Sequence, residues 1–380
     1  MTYYLILFFV TAILAWVNMH KTKLSQTFFF TYCLALGAFV GLADMLGGYD
    51  RYIYCEVFQD MHNYVIQGKL FSKTFLSYFG KEPIYGLIND AIAFFTPNRY
   101  IFILVYSLLL YCIYAIIFYK YTENPFFALL IFEGLMFFFT FTYLRQVLAA
   151  GVIWTAIPYV AKRDFKRYLL FVVVAMLIHN SAAYMLLLYF IPRKKFQAGS
   201  IIIFMFFLLL IGISGFTKYI FFASGDTFNN VRIASYADTA EKGFRIEYVI
   251  ESILFLFIFL WNYRKVNEDA YSLTFANIYL MFCGILLLFC KSSDGGRIAW
   301  YCLIGIIVVL DELCSYKFAT GLKAFVTIMC FVLFYRILSA WGVLLSPYKT
   351  FLTPGIRHGD FIEEKYEYDH AYDRDKFYNL

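Results

Sequence analysis

The sequence predicts an all-α protein that crosses a membrane many times. Of its 380 residues, 62% are hydrophobic and only 15% are charged, and the mean hydropathy is +0.68. Apolar runs recur at a length of about 20 residues, which is what a helix needs to span a bilayer. The lysines and arginines lie in short clusters between these runs, so the net charge of +6 indicates membrane topology and not nucleic-acid binding.

The basic clusters fix the direction of each span because short loops rich in lysine and arginine stay on the cytoplasmic side. The first apolar run, Tyr3 to Val17, has no basic residue before it, so we expect its N-terminus outside. We expect about 10–12 membrane helices in a domain of residues 1–345, followed by an extracytoplasmic acidic tail at 346–380. The longer spans after the first are predicted at residues 26–43, 100–119, 125–142, 145–161, 199–222, 246–263, 271–290, 298–316 and 324–344.

Residues 168–191 are predicted to form a short helical hairpin. Basic clusters flank this apolar stretch on both sides, so the chain must leave the cytoplasmic side and return. The interrupting polar residues His179, Asn180 and Ser181 then lie at an outer tip. Arg145 begins the helix that ends at the basic cluster before the hairpin, so Arg145 and His179 should share the extracytoplasmic face. The clusters are Lys162, Arg163, Lys166 and Arg167 before the hairpin, and Arg193, Lys194 and Lys195 after it.

Two polar segments, 44–82 and 223–245, are predicted to lie outside the membrane because they carry too many charges to span it. Residues 83–96 follow the first segment and are too short for an ordinary span. They carry Asp90 and begin at Pro83, which suits the first turn of a helix. We therefore expect a re-entrant or interfacial helix here.

The isolated ionisable residues beside apolar runs fall mostly on the predicted outer side. Such residues are costly in a membrane and often mark functional sites. The candidates for accepting a proton are His179, Asp50 and Glu82. The candidates for binding a substrate anion are Arg145, Arg51, Arg245 and Arg297, with Asp294 in the same outer set.

Each candidate also has a purely structural interpretation. Arg145 could snorkel from a helix end, and His179 could be a hydrogen-bonded packing residue at the hairpin tip. Asp50 and Arg51 could form an ordinary loop ion pair, and residues 294–297 could be only a tight turn.

As a set, these residues suit transfer from a phosphate-activated lipid donor to a hydroxyl acceptor. Arginine forks bind phosphate oxygens, and a histidine or carboxylate can take the hydroxyl proton. The sequence contains no DxD-like or histidine-rich ligand set, so we expect no metal and no other cofactor. Most of the eight cysteines lie in apolar runs, and Glu133 is alone in a span, so we expect packing roles for them.

Six short pieces carry a family resemblance that covers almost the whole chain. They are GGYDRYIYCEVF at 47–58, KEPIYGLIN at 81–89, YLRQVLAAGV at 143–152, LIHNSAAYMLLLYFIPRK at 177–194, SDGGR at 293–297 and SPYK at 346–349. In this order they resemble the EpsG family of bacterial polysaccharide proteins, relatives of the Wzy-type repeat-unit polymerases. The family often has an arginine shortly before its Asp-Tyr motif, where this chain has Gly41-Leu-Ala-Asp44 instead.

The resemblance implies a fold like that of lipid-dependent glycosyltransferases and a polymerase at the outer face of the bacterial cytoplasmic membrane. Donor and acceptor would be undecaprenyl-pyrophosphate-linked oligosaccharides, joined into exopolysaccharide, capsule or O-antigen. Gln146 in the LRQ piece would join the substrate-binding set, and a chain-length regulator and a flippase would be partners. Two alternatives stay open. A flippase should show two similar halves, and a membrane ligase or acyltransferase could also use an outer histidine.

Overall fold

The computed structural model describes residues 1–18, 25–43, 49–69, 80–217, 219, 243–292, 295–316, 319–350 and 352. Within these ranges the chain is helical, apart from one isolated β-bridge between Ala43 and Thr350. The described residues include five helices long and apolar enough to cross a membrane and four shorter apolar helices. The predicted class, an all-α protein with many membrane passes, is confirmed, while the total of about 10–12 membrane helices stays a prediction.

The first half of the chain supplies the helices around the candidate site. In order they are α1 (Thr2–Val17), α2 (Gln26–Leu42), α3 (Tyr49–Ile66), α4 (Pro83–Ala93), α5 (Arg99–Tyr121), α6 (Pro125–Leu135), a 3₁₀ turn (Phe137–Phe141) and α7 (Leu144–Ala161).

The second half continues with long helices interrupted by 3₁₀ segments. They are α8 (Phe165–Ile178), a 3₁₀ helix (Asn180–Phe190), α9 (Ala198–Ser214), α10 (Ile246–Trp261), a 3₁₀ turn (Tyr263–Lys265), α11 (Ala270–Leu288), a 3₁₀ helix (Gly295–Cys302), α12 (Leu303–Ser315), α13 (Thr320–Ala340) and the short α14 (Gly342–Leu345).

Local sequence explains where several helices begin. A side-chain oxygen of the preceding residue accepts hydrogen bonds from backbone N–H groups two or three positions later, which satisfies donors that have no partner inside the helix. Pro83 and Pro125 stand at first helical positions, where a missing N–H costs nothing. The capping residues are Ser25 before α2, Asn98 before α5, Asn124 before α6 and Asp269 before α11.

The chain forms two compact units. The first comprises residues 1–155, 170–183 and 314–380, and the second comprises 156–169 and 184–313. In the first unit α2 and α5 pack closely because Gly37 and Gly41 face α5. A Cβ on Gly41 would lie 2.8 Å from the Leu104 Cα atom, so only glycine permits this approach.

Buried polar residues join α1, α6 and α13 in the first unit. The Thr11 hydroxyl donates to Glu133 Oε1 at 2.7 Å, so Glu133 makes the structural contact that its position predicted. At the end of α1, the Ala15 carbonyl accepts from Asn124 Nδ2 at 2.8 Å and from Lys323 Nζ at 2.9 Å. These bonds satisfy groups that hydrocarbon could not. The cysteines are free thiols, and all but Cys112 are buried, as expected for packing residues.

The hairpin predicted at 168–191 reverses direction as expected. In the second unit the Tyr168 hydroxyl donates to the Met185 carbonyl at 2.5 Å, and the Tyr189 hydroxyl donates to the Arg163 carbonyl at 2.8 Å. Arg163 in turn donates to the carbonyls of Tyr189 and, at 2.5 Å, Ile191. The outgoing arm is the α-helix α8, and the returning arm is a 3₁₀ helix.

Three expected spans differ from the observed helices. The segment 125–142 is broken after Leu135, where a 3₁₀ turn follows α6. The helix predicted at 199–222 ends at Ser214 because Gly215 adopts a left-handed conformation with φ +76°. The segment 298–316 begins as a 3₁₀ helix. The remaining predicted spans match helices to within a few residues.

The two polar segments and the tail are described only in part. The segment 44–82 contributes α3, with 44–48 and 70–79 outside the described residues. Only the last residues of 223–245 are described. At the start of the predicted tail, Tyr348 stacks on Phe39 at 4.3 Å and donates to its carbonyl at 2.8 Å. These few residues therefore pack against α2.

Candidate functional site

An ion pair between Arg145 and Glu82 forms the centre of the candidate site, which lies in the first unit. Glu82 directly precedes α4, and Arg145 is in the first turn of α7. Arg145 Nη1 lies 2.5 Å from Glu82 Oε2. The Arg145 side chain is 25% exposed and the Glu82 side chain 11%. The guanidinium is thus held on one edge by the carboxylate, and the side chain as a whole stays partly exposed.

Two tyrosine rings hold the Arg145 guanidinium in place. Its central carbon lies 5.2 Å from the Tyr54 ring centre and 5.6 Å from that of Tyr85, which are cation–π distances. Arg145 also hydrogen-bonds the Tyr54 hydroxyl. Behind them, the Tyr106 hydroxyl donates to the Leu144 carbonyl at 3.1 Å and fixes the start of α7. The side chain is therefore restricted before any substrate arrives.

The tip of the hairpin reaches the same carboxylate. The Asn180 backbone N–H donates to Glu82 Oε1 at 3.0 Å. The neighbouring His179 is half-buried, and its Nδ1 lies 2.7 Å from the Ser181 hydroxyl oxygen. Glu82 thus connects Arg145 to the segment that carries His179. The two positions that the basic clusters predicted on one face do come together in one network.

Asp50 belongs to the electrostatic surroundings of this network. It lies in the first turn of α3, and its backbone N–H donates to the Thr142 hydroxyl at 2.9 Å. Asp50, Glu82 and Arg145 all act on Tyr54. Burial raises the pKa of the Tyr54 hydroxyl above its ordinary value, while the Arg145 charge opposes that rise. The neutral phenol is therefore the stable form here.

Arg51 has a structural role, which corrects its assignment to pyrophosphate binding. Its side chain is fully buried. Nη2 donates to the carbonyls of Val40, Gly41 and Ala43 at 3.0, 3.2 and 2.7 Å, and Nη1 donates to Phe141 at 3.4 Å. These carbonyls include the end of α2, where backbone acceptors lack helical partners and a cation is favoured. The guanidinium is used to hold α2 and is not open to a ligand.

Gln146 follows Arg145 on α7 and is buried. Successive residues of an α-helix point about 100° apart, so Gln146 does not extend the face that Arg145 presents. Its expected part in substrate binding stays a prediction.

Arg245 and Arg297 lie in the second unit, and both are near Tyr248. Arg245 is exposed just before α10, and its backbone N–H donates to the Cys290 carbonyl at 2.7 Å. Both arginines act electrostatically on Tyr248, whose ring packs against Gly296. Both predicted arginines therefore lie in the surroundings of Tyr248, and their expected part in substrate binding stays a prediction. Asp294 lies outside the described residues.

Asp90 is a buried acid that the sequence highlighted only as a polar residue in a short helix. Its Oδ2 atom has no hydrogen-bond partner, and burial raises the pKa of the carboxyl to about 6. Its neighbour Asn89 donates to the Tyr85 carbonyl at 2.8 Å within α4. Asp90 thus differs from Glu82, which has a cationic partner. Among the described residues, no group of three or more His, Cys, Asp and Glu side chains could hold a metal ion.

Sequence reasoning missed Tyr54, Tyr85 and the Asn180 amide as parts of the site. Tyr54 stands four residues after Asp50, and Tyr85 three residues after Glu82, so both share a helical face with a chosen residue. That spacing is a usable signal. A backbone amide gives no signal in the residue types.

The family model of the EpsG family matches residues 26–350 of the chain. This range contains every candidate residue described above. No curated protein and no solved structure gives a significant match.

Proposed function

The chain belongs to the EpsG family, and from this premise we propose that it is a membrane glycosyltransferase that polymerises oligosaccharide repeat units. The donor would be the growing glycan on undecaprenyl pyrophosphate, and the acceptor a hydroxyl of the next lipid-linked unit. The products would be a lengthened glycan and free undecaprenyl pyrophosphate. The site would face the outside of the cytoplasmic membrane, following the inward basic clusters.

The observation that supports this proposal most strongly is the network of Arg145, Glu82 and the hairpin tip with His179. It combines a restrained guanidinium, on a side chain that is partly exposed, with an imidazole on an adjoining segment. A guanidinium can bind two phosphate oxygens through its planar fork. An imidazole can accept a proton near neutral pH.

The reaction would need one bond to form and one to break at the donor's anomeric carbon. The acceptor hydroxyl oxygen attacks that carbon, and His179 accepts the hydroxyl proton. The carbon–oxygen bond to pyrophosphate breaks, and its electron pair leaves with the lipid pyrophosphate. Arg145 stabilises the negative charge that develops there, which is the role of a preorganised cation in a site of low dielectric constant. Arg245 and Arg297 are further candidates for binding phosphate in this proposal.

The direct test uses the purified protein in lipid nanodiscs with a synthetic undecaprenyl-pyrophosphate-linked repeat unit. We expect a ladder of glycan lengths and one undecaprenyl pyrophosphate released per bond formed. Arg264→Lys is a matched control because Arg264 is exposed, so it should leave the ladder unchanged. Lipid transfer across the membrane without a ladder would favour a flippase. Transfer only to an added acceptor without a lipid would favour a ligase.

The proposed sidedness has its own test. In a variant without native cysteines, Cys introduced at Asn180 should react with a membrane-impermeant thiol reagent applied from outside. Cys introduced at the exposed Lys166 should react only after the membrane is permeabilised. Reaction at position 166 in sealed cells would overturn the proposed topology.

A further inference from the structure

The contacts of Glu82 define what this residue can do. Its two carboxylate oxygens have different partners, Arg145 Nη1 on Oε2 at 2.5 Å and the Asn180 N–H on Oε1 at 3.0 Å. We infer that Glu82 is a positioning residue that fixes Arg145 and the His179 hairpin tip relative to each other, and not the proton acceptor. This inference rests on the proposed function where it concerns catalysis.

Charge explains why Arg145 needs Glu82. Arg145 lies in the first turn of α7, where unpaired N–H groups and the helix dipole repel a cation. Glu82 directly precedes α4, where the same effects favour an anion. The helix dipole therefore disfavours the Arg145 charge and favours the Glu82 charge, and the ion pair between them offsets the cost at Arg145. Without the carboxylate, the two tyrosine rings would be left to hold a guanidinium against the helix dipole.

The hairpin tip needs Glu82 for a different reason. The Asn180 N–H begins the 3₁₀ helix Asn180–Phe190, so it has no earlier carbonyl within that helix. A carboxylate gives this amide a charge-assisted hydrogen bond, which is stronger than a bond to a neutral acceptor. Because the amide belongs to the backbone, the bond fixes the main chain beside His179 rather than one rotamer. Movement of Glu82 would therefore move both groups.

The same contacts weaken the case for Glu82 as a base. A general base must lie within hydrogen-bond reach of the substrate hydroxyl. The Glu82 side chain is 11% exposed, and each of its oxygens already accepts a strong hydrogen bond. Protonating it would also remove the charge that orients Arg145.

One substitution separates a positioning role from a base role by kinetics. Glu82→Gln keeps the length and an oxygen for the Asn180 amide but loses the charge that faces Arg145. We expect kcat/KM to fall by about threefold to thirtyfold, with the pH dependence on the acidic side unchanged. If Glu82 were the base, Gln would cost about a hundredfold to ten-thousandfold and abolish that acidic limb, which would overturn the inference.

A second readout does not depend on activity. In a variant whose single Cys replaces Asn180, the rate of reaction with a soluble thiol reagent measures how accessible the hairpin tip is. The substitution keeps the hydrogen bond to Glu82, because the backbone N–H at position 180 donates it. Glu82→Ala removes that bond, so we expect labelling to become several-fold faster, while Glu82→Gln should stay near the starting rate. Glu268→Ala is the control, because Glu268 forms an exposed ion pair with Lys195 at 3.4 Å. An unchanged rate in Glu82→Ala would contradict the inference.

The two readouts distinguish this inference from the proposed function. Faster labelling of Glu82→Ala in a protein that makes no polymer would support the positioning role and refute the polymerase. A polymerase whose Glu82→Gln variant loses the acidic limb, with labelling unchanged in Glu82→Ala, would refute the positioning role alone.

Discussion

Arg51 and Arg145 differ in how their surroundings use the same side chain. Both lie in the first unit, both stand beside apolar segments, and both have side chains that are mostly buried. Arg51 donates to four backbone carbonyls and is fully buried. Arg145 pairs with one carboxylate, contacts two tyrosine rings and remains 25% exposed at its side chain.

The difference shows that the partners of a buried arginine indicate its role better than its burial does. Carbonyls at a helix end have no other partners, so a guanidinium that binds them stabilises the fold. A carboxylate on one edge orients the guanidinium and leaves another edge for a ligand. Arg163, which donates to the carbonyls of Tyr189 and Ile191, resembles Arg51 in this respect. Of these three arginines, Arg145 has the arrangement that suits the proposed chemistry.

The largest expected effect is at His179. His179→Gln can hydrogen-bond but cannot accept the proton, so polymer formation should fall by about a hundredfold to ten-thousandfold while the unpolymerised lipid-linked unit accumulates. Polymer length and lipid-linked intermediate are measured together. His62→Gln is the control, because His62 contacts the Ala93 carbonyl at 2.6 Å away from the network. Near-normal polymer from His179→Gln would make Asp50 the better candidate for the base.

Substitution of Arg145 should give the next largest effect. Arg145→Lys keeps the charge but loses the planar fork that can hold two phosphate oxygens. We expect turnover to fall about tenfold to hundredfold with protein levels unchanged. Arg264→Lys supplies the comparison, and turnover is measured from released lipid pyrophosphate. Full activity in Arg145→Lys would mean that a point charge is sufficient, and the proposed fork would be wrong.

Arg51 should show the opposite behaviour. Arg51→Lys loses the geometry that reaches four carbonyls, and each buried carbonyl left without a partner costs about 1–3 kcal/mol. We expect a clearly lower thermal midpoint and less protein in the membrane. The midpoint is measured by fluorescence in the same detergent for both proteins. An unchanged midpoint would show that these hydrogen bonds do not hold α2.

Asp90 gives the smallest expected effect and extends the comparison to acids. Burial raises its pKa from 3.8 to about 6, so the unfolded chain releases this proton at lower pH than the folded chain. Stability should therefore fall as pH rises from about 4 to about 6. Asparagine does not ionise, so the stability of Asp90→Asn should not fall in this way. Its free energy of unfolding should exceed that of the native protein by an amount that grows with pH, to about 1–2 kcal/mol at pH 7. An equal gain at pH 4 and pH 7 would point to packing instead of ionisation.

The sequence was sufficient for features that depend on local chemistry and on charge beside apolar runs. Pro83 marked the start of α4, and the flanking lysines and arginines predicted the reversal of the hairpin. Gly215 could have marked the end of α9, because glycine readily adopts the left-handed conformation that ends a helix. The end of α6 was not predictable from hydropathy, because Leu135 stands in a continuous apolar run. There the backbone conformation and the packing of neighbouring helices decide.

Within the site, the sequence indicated Arg145, Glu82 and His179 as candidates but not the role of each. Arg51 and Arg145 look equivalent in a sequence, because nothing in the residue types tells whether a guanidinium will meet carbonyls or a carboxylate. Glu82 looked like a possible base for the same reason. Its bond to the Asn180 amide depends on a backbone group that every residue except proline has.

The central claim, that Arg145 serves the reaction and Arg51 serves the fold, is tested most directly by one paired measurement. Arg145→Lys and Arg51→Lys are purified alongside the native protein, and release of undecaprenyl pyrophosphate is expressed per folded molecule. We expect Arg51→Lys to turn over within about twofold of the native rate once folded, and Arg145→Lys to lose about tenfold or more. Equal losses in both variants, or a loss confined to Arg51→Lys, would contradict the claim.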